Sequence, residues 1–474
     1  MISTYIDSKD TIVAISTPMG QGGIGIVRLS GDRAFKIGDK LFKPRQSNKK
    51  IAKLPSFSVH YGYIVSDSKL KLKDQKQKII DEVIITIMRA PKTYTKEDVL
   101  EINCHGGIVP LRKILELCIA LGARLAQPGE FTQRAFQNGR IDLIQAESVL
   151  NVINAKTDLA LEPAMHQLQG KLSSHIKELT LKLVEIVAPL EASIDFPDDT
   201  IKRMGRRDII KNLNVVCLET RKLIDSADKG MMLANGINIA LAGAANVGKS
   251  SIMNALLEYE RVIVTNISGT TRDVVEEVLN MQGVPVKISD TAGIMESSCI
   301  ITQESMTRSL ACLERADLVL LVLDGSRKIR KADLAVAKKI KNRKAIIVIN
   351  KNDLSLKADL ALIKKLIPNA ALVKISALKK QGLGGLEKKI LSMFFHGQII
   401  EKDEFIISNL RQKESLENCY KNIIAALEVV SLKGYEECLV FEIRQALDYL
   451  GQVVGDNITE DILSNIFSRF CIGK

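Results

Sequence analysis

The sequence predicts a multidomain α/β and α protein: an N-terminal α+β domain, then a discontinuous helical domain into which a doubly wound α/β domain is inserted. Three features carry that expectation. From Asp10 to about Leu100, short apolar runs bounded by turn signals (TIVAIS, GIGIVRLS, FSVHYGYIV, EVIITIM) read as strands. From Arg140 to about Asp228, and again after Ile400, apolar residues recur at three and four spacing, as on amphipathic helices. Between these stretches, from Gly236 to about Phe395, strand-like runs alternate with helical segments, the rhythm of a mostly parallel sheet. The two helical stretches bury their faces most simply against each other. The expected boundaries are 1–139 for the α+β domain, 140–235 and 397–474 for the helical parts, and 236–396 for the inserted domain.

A length of 474 residues supports about three domains. Apolar and charged fractions of 46% and 26% exclude a mainly disordered chain. Lysine and arginine exceed the acids by 67 − 55 = 12, an excess that suits phosphate-bearing partners or simply a solvated surface. The eight cysteines form no CxxC pair, so neither a zinc ribbon nor a disulfide framework is expected. The opening MISTYIDSKD has no basic and apolar leader pattern, and no apolar run approaches the ~20 residues that cross a bilayer. The expectation is a cytoplasmic chain with reduced thiols and no membrane association.

The most specific motif is Gly243-Ala244-Ala245-Asn246-Val247-Gly248-Lys249-Ser250, after the strand-like INIALAG and before the helical SIMNALL. This is a P-loop in its proper context. Glycines let the backbone turn its N–H groups onto phosphates, and the helix start adds positive partial charge. Lys249 brings a full charge to the β and γ phosphates, Ser250 is the Mg²⁺ ligand, and Ser251 follows in the same turn. Asp290-Thr291-Ala292-Gly293 closes the strand VPVKISD at the switch II position, with Gly293 offering its N–H to the γ-phosphate. Asn350-Lys351-Asn352-Asp353 ends the strand AIIVIN; a carboxylate there accepts from the N1 and N2 edge of guanine, which adenine does not offer. Ser376-Ala377-Leu378 closes over the base, the Ala377 N–H reaching O6. All four follow strands, where open α/β sheets bind ligands. The domain therefore reads as a Ras-like P-loop GTPase that binds GTP and GDP.

Two details refine that reading. Ile294 stands where regulatory GTPases place a water-orienting glutamine. Asn246 lies inside the P-loop, and switch I reads Val264-Thr265-Asn266-Ile267-Ser268-Gly269-Thr270-Thr271-Arg272-Asp273. An amide side chain with switch-loop carbonyls suits a monovalent cation, K⁺, in place of an arginine finger; the alternative is that Asn246 merely caps its loop.

With these residues read, the whole chain resembles the tRNA modification GTPase family called MnmE or TrmE. The resemblance rests on Asp10-Thr11-Ile12-Val13-Ala14, Gly20-Gln21-Gly22-Gly23-Ile24-Gly25-Ile26-Val27-Arg28, Tyr94-Thr95-Lys96-Glu97-Asp98 and Cys104-His105-Gly106-Gly107. It continues through Pro128-Gly129-Glu130-Phe131, Ile194-Asp195-Phe196-Pro197-Asp198 and Phe470-Cys471-Ile472-Gly473-Lys474. It implies a wobble-uridine C5 modification enzyme using a tetrahydrofolate derivative, 5-formyl- or methylene-tetrahydrofolate, and an FAD-dependent partner subunit, MnmG (GidA), in a heterotetramer-type complex. FAD enters only through that partner. The N-terminal domain becomes a tetrahydrofolate-binding, homodimerising module with contacts at Arg28, Glu101, Arg140 and Lys474. The resemblance also implies K⁺ at Asn246, Thr265, Ile267 and Thr270, and Mg²⁺ at Ser250 and Thr271. GTP contacts extend over Thr265 to Thr271, including Asn266, Ser268 and Gly269. GQGGIG is not a dinucleotide fingerprint, because no convincing helix follows it.

Two positions depart from the family pattern. Arg140 stands where lysine is usual, and a planar fork is not an ammonium. Thr302 stands where the family has a switch II glutamate, with Glu296 and Glu304 nearby, so slower GTP turnover is expected, testable by single-turnover hydrolysis in K⁺. Cys471 is a candidate nucleophile, with a buried thiol positioning Lys474 as the plainer account. His105 reads as a turn or core histidine. Lys202-Arg203-Met204-Gly205-Arg206-Arg207 is a candidate tRNA-phosphate tract or a solvated helix end. The alternative function is a ribosome-assembly GTPase, though no basic GXXG loop appears in the final segment.

Overall fold

The computed structural model describes residues 10–45, 50–66, 78–196, 204–260, 277–290, 312–395 and 405–474. The described residues fall into two compact units: residues up to 150 with 454–474, and 151–453.

The first unit is built on a seven-stranded sheet of β1 (Ile12–Ile15), β2 (Gly22–Ser30), β3 (Phe42–Pro44), β4 (Ser58–Ser66), β5 (Lys78–Met88), β6 (Val99–Gly106) and β7 (Arg124–Leu125), in the order β3-β4-β5-β6-β2-β1-β7. Alternation sets its faces. Val27, Leu29, Ile85, Ile87, Leu100 and Ile102 point into a core closed by α1 (Ala34–Leu41) and α2 (Ile108–Ala120). Each such side chain contributes about 1.5–3 kcal/mol by leaving water. The GQGGIG run ends inside β2, which disposes of the dinucleotide reading. β6 is not among the runs singled out above, although Leu100, Ile102 and Cys104 inward with Glu101, Asn103 and His105 outward is a strand pattern.

A buried ionic knot fixes α3 (Glu130–Gln137) beside the first strand. Glu130 is fully buried and accepts from Arg124 (2.5 Å), Arg134 (2.9 Å) and the Gln127 N–H (2.8 Å). Arg134 also binds Asp10 and Glu97. A carboxylate without these partners would not remain charged there. Burial pushes the Glu130 carboxyl up, but the two guanidiniums and the backbone N–H outweigh it and hold it below its ordinary value.

After α4 (Leu143–Asn154), the second unit holds α5 (Asp158–Leu168), α6 (Lys171–Asp195) and a six-stranded sheet of β8 (Ile237–Ala242), β9 (Glu277–Met281), β10 (Val284–Asp290), β11 (Leu318–Asp324), β12 (Ala345–Asn350) and β13 (Ala371–Lys374), ordered β13-β12-β11-β8-β10-β9. Only β9 runs antiparallel, as a hairpin with β10. β11 and β12 are buried along their whole length, which explains their unbroken apolar text. Helices α8 (Lys249–Glu260) and α11 (Leu383–Ser392) cover one face, and α9 (Lys331–Lys339) and α10 (Ala361–Leu366) the other. α12 (Leu410–Ser431) packs along α7 (Arg206–Asn235), so the helical stretches before and after the sheet bury each other. Gly230 is required in α7, because a Cβ there would lie 2.1 Å from the Ile407 carbonyl.

Residues 454–474, including α14 (Glu460–Phe467; α13, Glu436–Val454, precedes it), group with the N-terminal sheet. No helix among the described residues is long and apolar enough to cross a membrane.

Candidate functional site

The first constellation forms at the carboxyl edge of the six-stranded sheet. β8 lies between β10 and β11, so the loop after it opens at the point where strand order reverses. Asn246 holds φ +63° and Gly248 φ +96°, the left-handed backbone that turns the loop back on itself. Lys249, 5% exposed, donates to the carbonyls of Gly243 (3.1 Å) and Ala244 (2.9 Å). The ammonium is thus held inside its own loop, positioned to exchange these carbonyls for phosphate oxygens.

Asn350 ties this loop to the base-recognition segments. Its Nδ2 donates to the Val247 carbonyl (3.0 Å), and its Oδ1 accepts from the Ala377 N–H (3.1 Å). Ser376 Oγ donates to Asp353 (2.5 Å) and also accepts the Lys379 N–H (3.2 Å). The Ser376 hydroxyl is the main reason the Asp353 carboxyl sits below its ordinary value, which keeps it an acceptor. Lys351, in left-handed backbone at φ +62°, ion-pairs with Asp324 at 2.7 Å. Sequence reasoning passed over Asp324; its signal was the carboxylate that ends the buried strand LVLLVLD.

The structure therefore brings together Asn246, Val247, Gly248, Lys249, Asn350, Asp353, Ser376 and Ala377. Ser250 and Ser251 open α8, Asn352 donates its N–H to the Ile375 carbonyl (3.0 Å), and Leu378 is exposed. The backbone of Asp290 pairs beside Leu241, placing that residue at the same edge. Thr265, Asn266, Ile267, Ser268, Gly269, Thr270 and Thr271, with Thr291, Ala292, Gly293, Ile294, Glu296, Thr302 and Glu304, lie outside the described residues. Of the expected cation ligands only Asn246, which is exposed, and Ser250 are described.

The second constellation belongs to the first unit. Arg28 and Glu101 face each other across β2 and β6. Their side chains pair doubly to Oε1, at 2.8 Å from Nε and 2.7 Å from the terminal nitrogen. The Phe470–Lys474 segment lies over this pair. Arg28 and Ser16 Oγ both donate to the Gly473 carbonyl (3.3 Å each). The Gly129 N–H donates to the Cys471 carbonyl (3.4 Å) and the Phe131 N–H to the Lys474 carbonyl (3.2 Å). Phe470 is buried against Phe467, Ala135 and Ile141 and anchors the segment. Burial, then the neighbouring Arg28 charge, lowers the Lys474 ammonium below its ordinary value, with Glu101 opposing.

Arg140 places its guanidinium 4.8 Å from the centre of the Tyr94 ring, a stacking that a planar cation makes well. This is a structural use for the planar fork of Arg140. Burial raises the Tyr94 hydroxyl, with Thr132, Arg140 and Arg28 all opposing. Cys471 is exposed, so it is not the buried packing thiol anticipated above. His105 is not a core histidine: it lies on β6 with its side chain 69% exposed, and its Nδ1 is 2.6 Å from Asp81. Among the described residues no cluster of His, Cys, Asp or Glu has the makings of a metal site. Arg206, from the basic tract, donates to the Val430 carbonyl; Lys202 and Arg203 are outside the described residues.

Comparison with known proteins finds two matching families. The family described as GTP-binding protein TrmE N-terminus matches residues 11–140, and the MnmE helical domain matches residues 143–471. The chain is 44% identical to the tRNA modification GTPase MnmE of Thermoanaerobacter pseudethanolicus over 98% of its own length and 99% of that protein. It is 42% identical to the protein of the same name from Clostridioides difficile, over 99% and 100%. Among solved structures, the G domain of the T. maritima FeoB iron transporter is 28% identical, covering 33% of this chain and 97% of that one at a TM-score of 0.26.

Proposed function

We propose, from the premise that the chain belongs to the tRNA modification GTPase MnmE family, that it is the K⁺-dependent GTP-hydrolysing subunit of a complex that installs an aminomethyl-type group on C5 of wobble uridine. Family membership sets aside the ribosome-assembly alternative. The observation that carries the finer reading is the Phe470–Lys474 segment docked on Arg28 and Glu101: no nucleotide-binding domain needs that contact.

The donor set fits a folate. Glu101 offers acceptor oxygens to the N–H edge of a pterin, while Arg28 and Lys474 are two cations against one carboxylate and suit an anionic group. A bound tetrahydrofolate would supply the one-carbon unit. The residues of this chain orient it, with Tyr94 and Arg140 forming a stacked wall and the Gly473 backbone holding Arg28 in register.

In the nucleotide site, Asp353 selects guanine, Asn350 keeps the base loops in register with the phosphate loop, and Lys249 stabilises negative charge on the transferred phosphate. Mg²⁺ at Ser250 and Thr271, and K⁺ at Asn246, Thr265, Ile267 and Thr270, would add positive charge at the β and γ phosphates. Thr271, Asp290 and Gly293 complete the proposed hydrolytic set, with Cys471 assigned to the modification site, where its thiol is accessible.

A homodimer through the N-terminal domain is supported by the open face of the seven-stranded sheet, where Val59, Tyr61 and Ile84 are 62, 43 and 44% exposed. That face is continuous across the register with Glu101 and Arg28. FAD enters through an MnmG-type subunit. The decisive experiment is mass spectrometry of wobble uridines from cells lacking the gene, complemented with this chain or its Lys249→Ala form, alongside GTP hydrolysis in K⁺ and in Na⁺. Restored modification by the unaltered chain alone, with hydrolysis that collapses in Na⁺, is expected. Restoration by Lys249→Ala, or equal rates in both salts, refutes the proposal.

A further inference from the structure

The positive charge of this chain is concentrated in one place. Between Gly325 and Leu366 stand thirteen lysines and arginines against three aspartates, a surplus of ten in a chain whose total is +12. The fold sorts this stretch by face. Ala337, Ile340 and Ile363 turn toward β11 and β12, whereas Lys338, Lys339, Lys341, Arg343, Lys364 and Lys365 are exposed on the adjoining helices α9 and α10 and the turn between α9 and β12. None of these six has an ion-pair partner among the described residues; the carboxylates near this stretch pair with Arg327 and Lys351.

The helix dipole accounts for Lys338 and Lys339 in the last turn of α9. It accounts likewise for Lys364 and Lys365 in the last turn of α10, but not for Lys341 and Arg343 in the turn that follows α9. Like charges gathered on neighbouring helices repel one another, and a polyanion offsets that repulsion. No Phe, Tyr or Trp occurs between 325 and 366, so the face offers charge without stacking platforms. That combination suits the sugar–phosphate backbone of a helical RNA rather than splayed single-stranded bases. Its densest part, Lys338 to Lys344, precedes β12 and so lies at the opposite edge of the sheet from the nucleotide loops.

We propose that the α9–α10 face is a binding surface for the phosphate backbone of helical RNA, engaging the tRNA substrate; this rests on the function proposed above. The basic tract before α7 is not needed for it.

The test is fluorescence anisotropy of the full chain with an unmodified tRNA transcript across a salt series, comparing it with the quadruple variant Lys338→Gln, Lys339→Gln, Lys341→Gln, Arg343→Gln. Binding of a fluorescent GDP analogue, expected unchanged, reports an intact domain. Counterion release contributes about 0.7–0.9 to the slope of log affinity against log salt for each phosphate contact. The variant should therefore bind tRNA roughly tenfold or more weakly at low salt, with a slope shallower by about three. Equal affinity and slope in the two proteins overturn the inference and leave the proposed function standing. An unaltered chain that binds no tRNA at any salt overturns both. Loss of binding to phosphatidylserine vesicles with tRNA binding untouched would make the face a membrane surface, and the inference would fall.

Discussion

Replacing Gly473 by alanine should undock the Phe470–Lys474 segment from the proposed folate site without unfolding the chain. Gly473 adopts φ +94°, and a Cβ would sit 2.5 Å from the Ile15 carbonyl oxygen and 2.9 Å from the Ser16 Cα, backbone atoms at the end of the first strand that do not yield cheaply. Positive φ alone costs a non-glycine residue about 1–2 kcal/mol. Four hydrogen bonds oppose undocking, from Arg28, Ser16, Gly129 and Phe131. At about 0.5–1.5 kcal/mol each they hold the segment by roughly 2–6 kcal/mol, and at 3.2–3.4 Å they belong at the weak end. Strain plus the backbone clash therefore consumes most of the docking energy, while buried Phe470 keeps the preceding residues in place. Lys474 leaves Arg28 and Glu101, and affinity for 5-formyl-tetrahydrofolate should fall tenfold or more, since 1.4 kcal/mol is a factor of ten. Titration calorimetry reads the affinity, and hydrogen exchange at the Gly129 and Phe131 amides reads the undocking; GTP hydrolysis serves as the unaffected control. Unchanged folate affinity with full protection of the Phe131 amide would refute the reasoning.

Three further changes probe the remaining contacts. Gly248→Ala puts a methyl group 2.2 Å from Asn350 Nδ2 at a φ of +96°; strain and the lost bond to Val247 together cost about 2–3 kcal/mol, so GDP affinity by fluorescence should drop about 30- to 150-fold. Asp353→Asn exchanges an acceptor for a donor, which should weaken GTP by about 10- to 150-fold, the worth of a charged hydrogen bond, and improve binding of xanthosine nucleotides measured in competition. Glu130→Gln leaves Arg124 and Arg134 unneutralised in a buried site and should cost about 3–5 kcal/mol near neutral pH. Because the folded carboxyl is held below its ordinary value of 4.5, its stabilisation is full above that pH and is lost as acid protonates it; urea unfolding from pH 3 to 7 should show a steeper acid limb in the unaltered chain than in the variant.

What the text reveals depends on how far apart the partners are. The phosphate loop and its base-recognition companions are short contiguous words, each following a strand, and they read directly. The β8, β11 and β12 runs read because a strand covered on both faces is apolar almost throughout. The proposed folate constellation is different: Arg28 meets Gly473 across 445 positions, and neither hydrophobic period nor spacing announces such a meeting. Only the resemblance pointed there. Asp324 escaped notice because its use, holding Lys351, is a tertiary fact. The Pro128-Gly129-Glu130-Phe131 signature likewise looks functional in the text, yet its glutamate is the core of an ionic knot and its two neighbouring amides receive the Phe470–Lys474 segment.

The charge arithmetic of that constellation gives a test of its own. Arg28 and Lys474 share Glu101 in a half-buried site, with Cys471 also bearing on the Lys474 ammonium. Burial first, and then repulsion from Arg28, lowers the Lys474 ammonium below its ordinary 10.5. An anionic ligand group placed beside it reverses that effect, so the complex holds a proton more firmly than the free protein does. By linkage, affinity is then full below the depressed value and declines as pH rises through it. A folate should thus bind less tightly in alkaline buffer, with proton uptake visible as a dependence of calorimetric heat on buffer ionisation enthalpy. Lys474→Met removes the titrating group and should flatten the profile while lowering affinity throughout; Lys474→Arg, which keeps its charge to far higher pH, should retain affinity and flatten it as well. A pH profile that stays steep in both variants would place the titration elsewhere and take Lys474 out of the site.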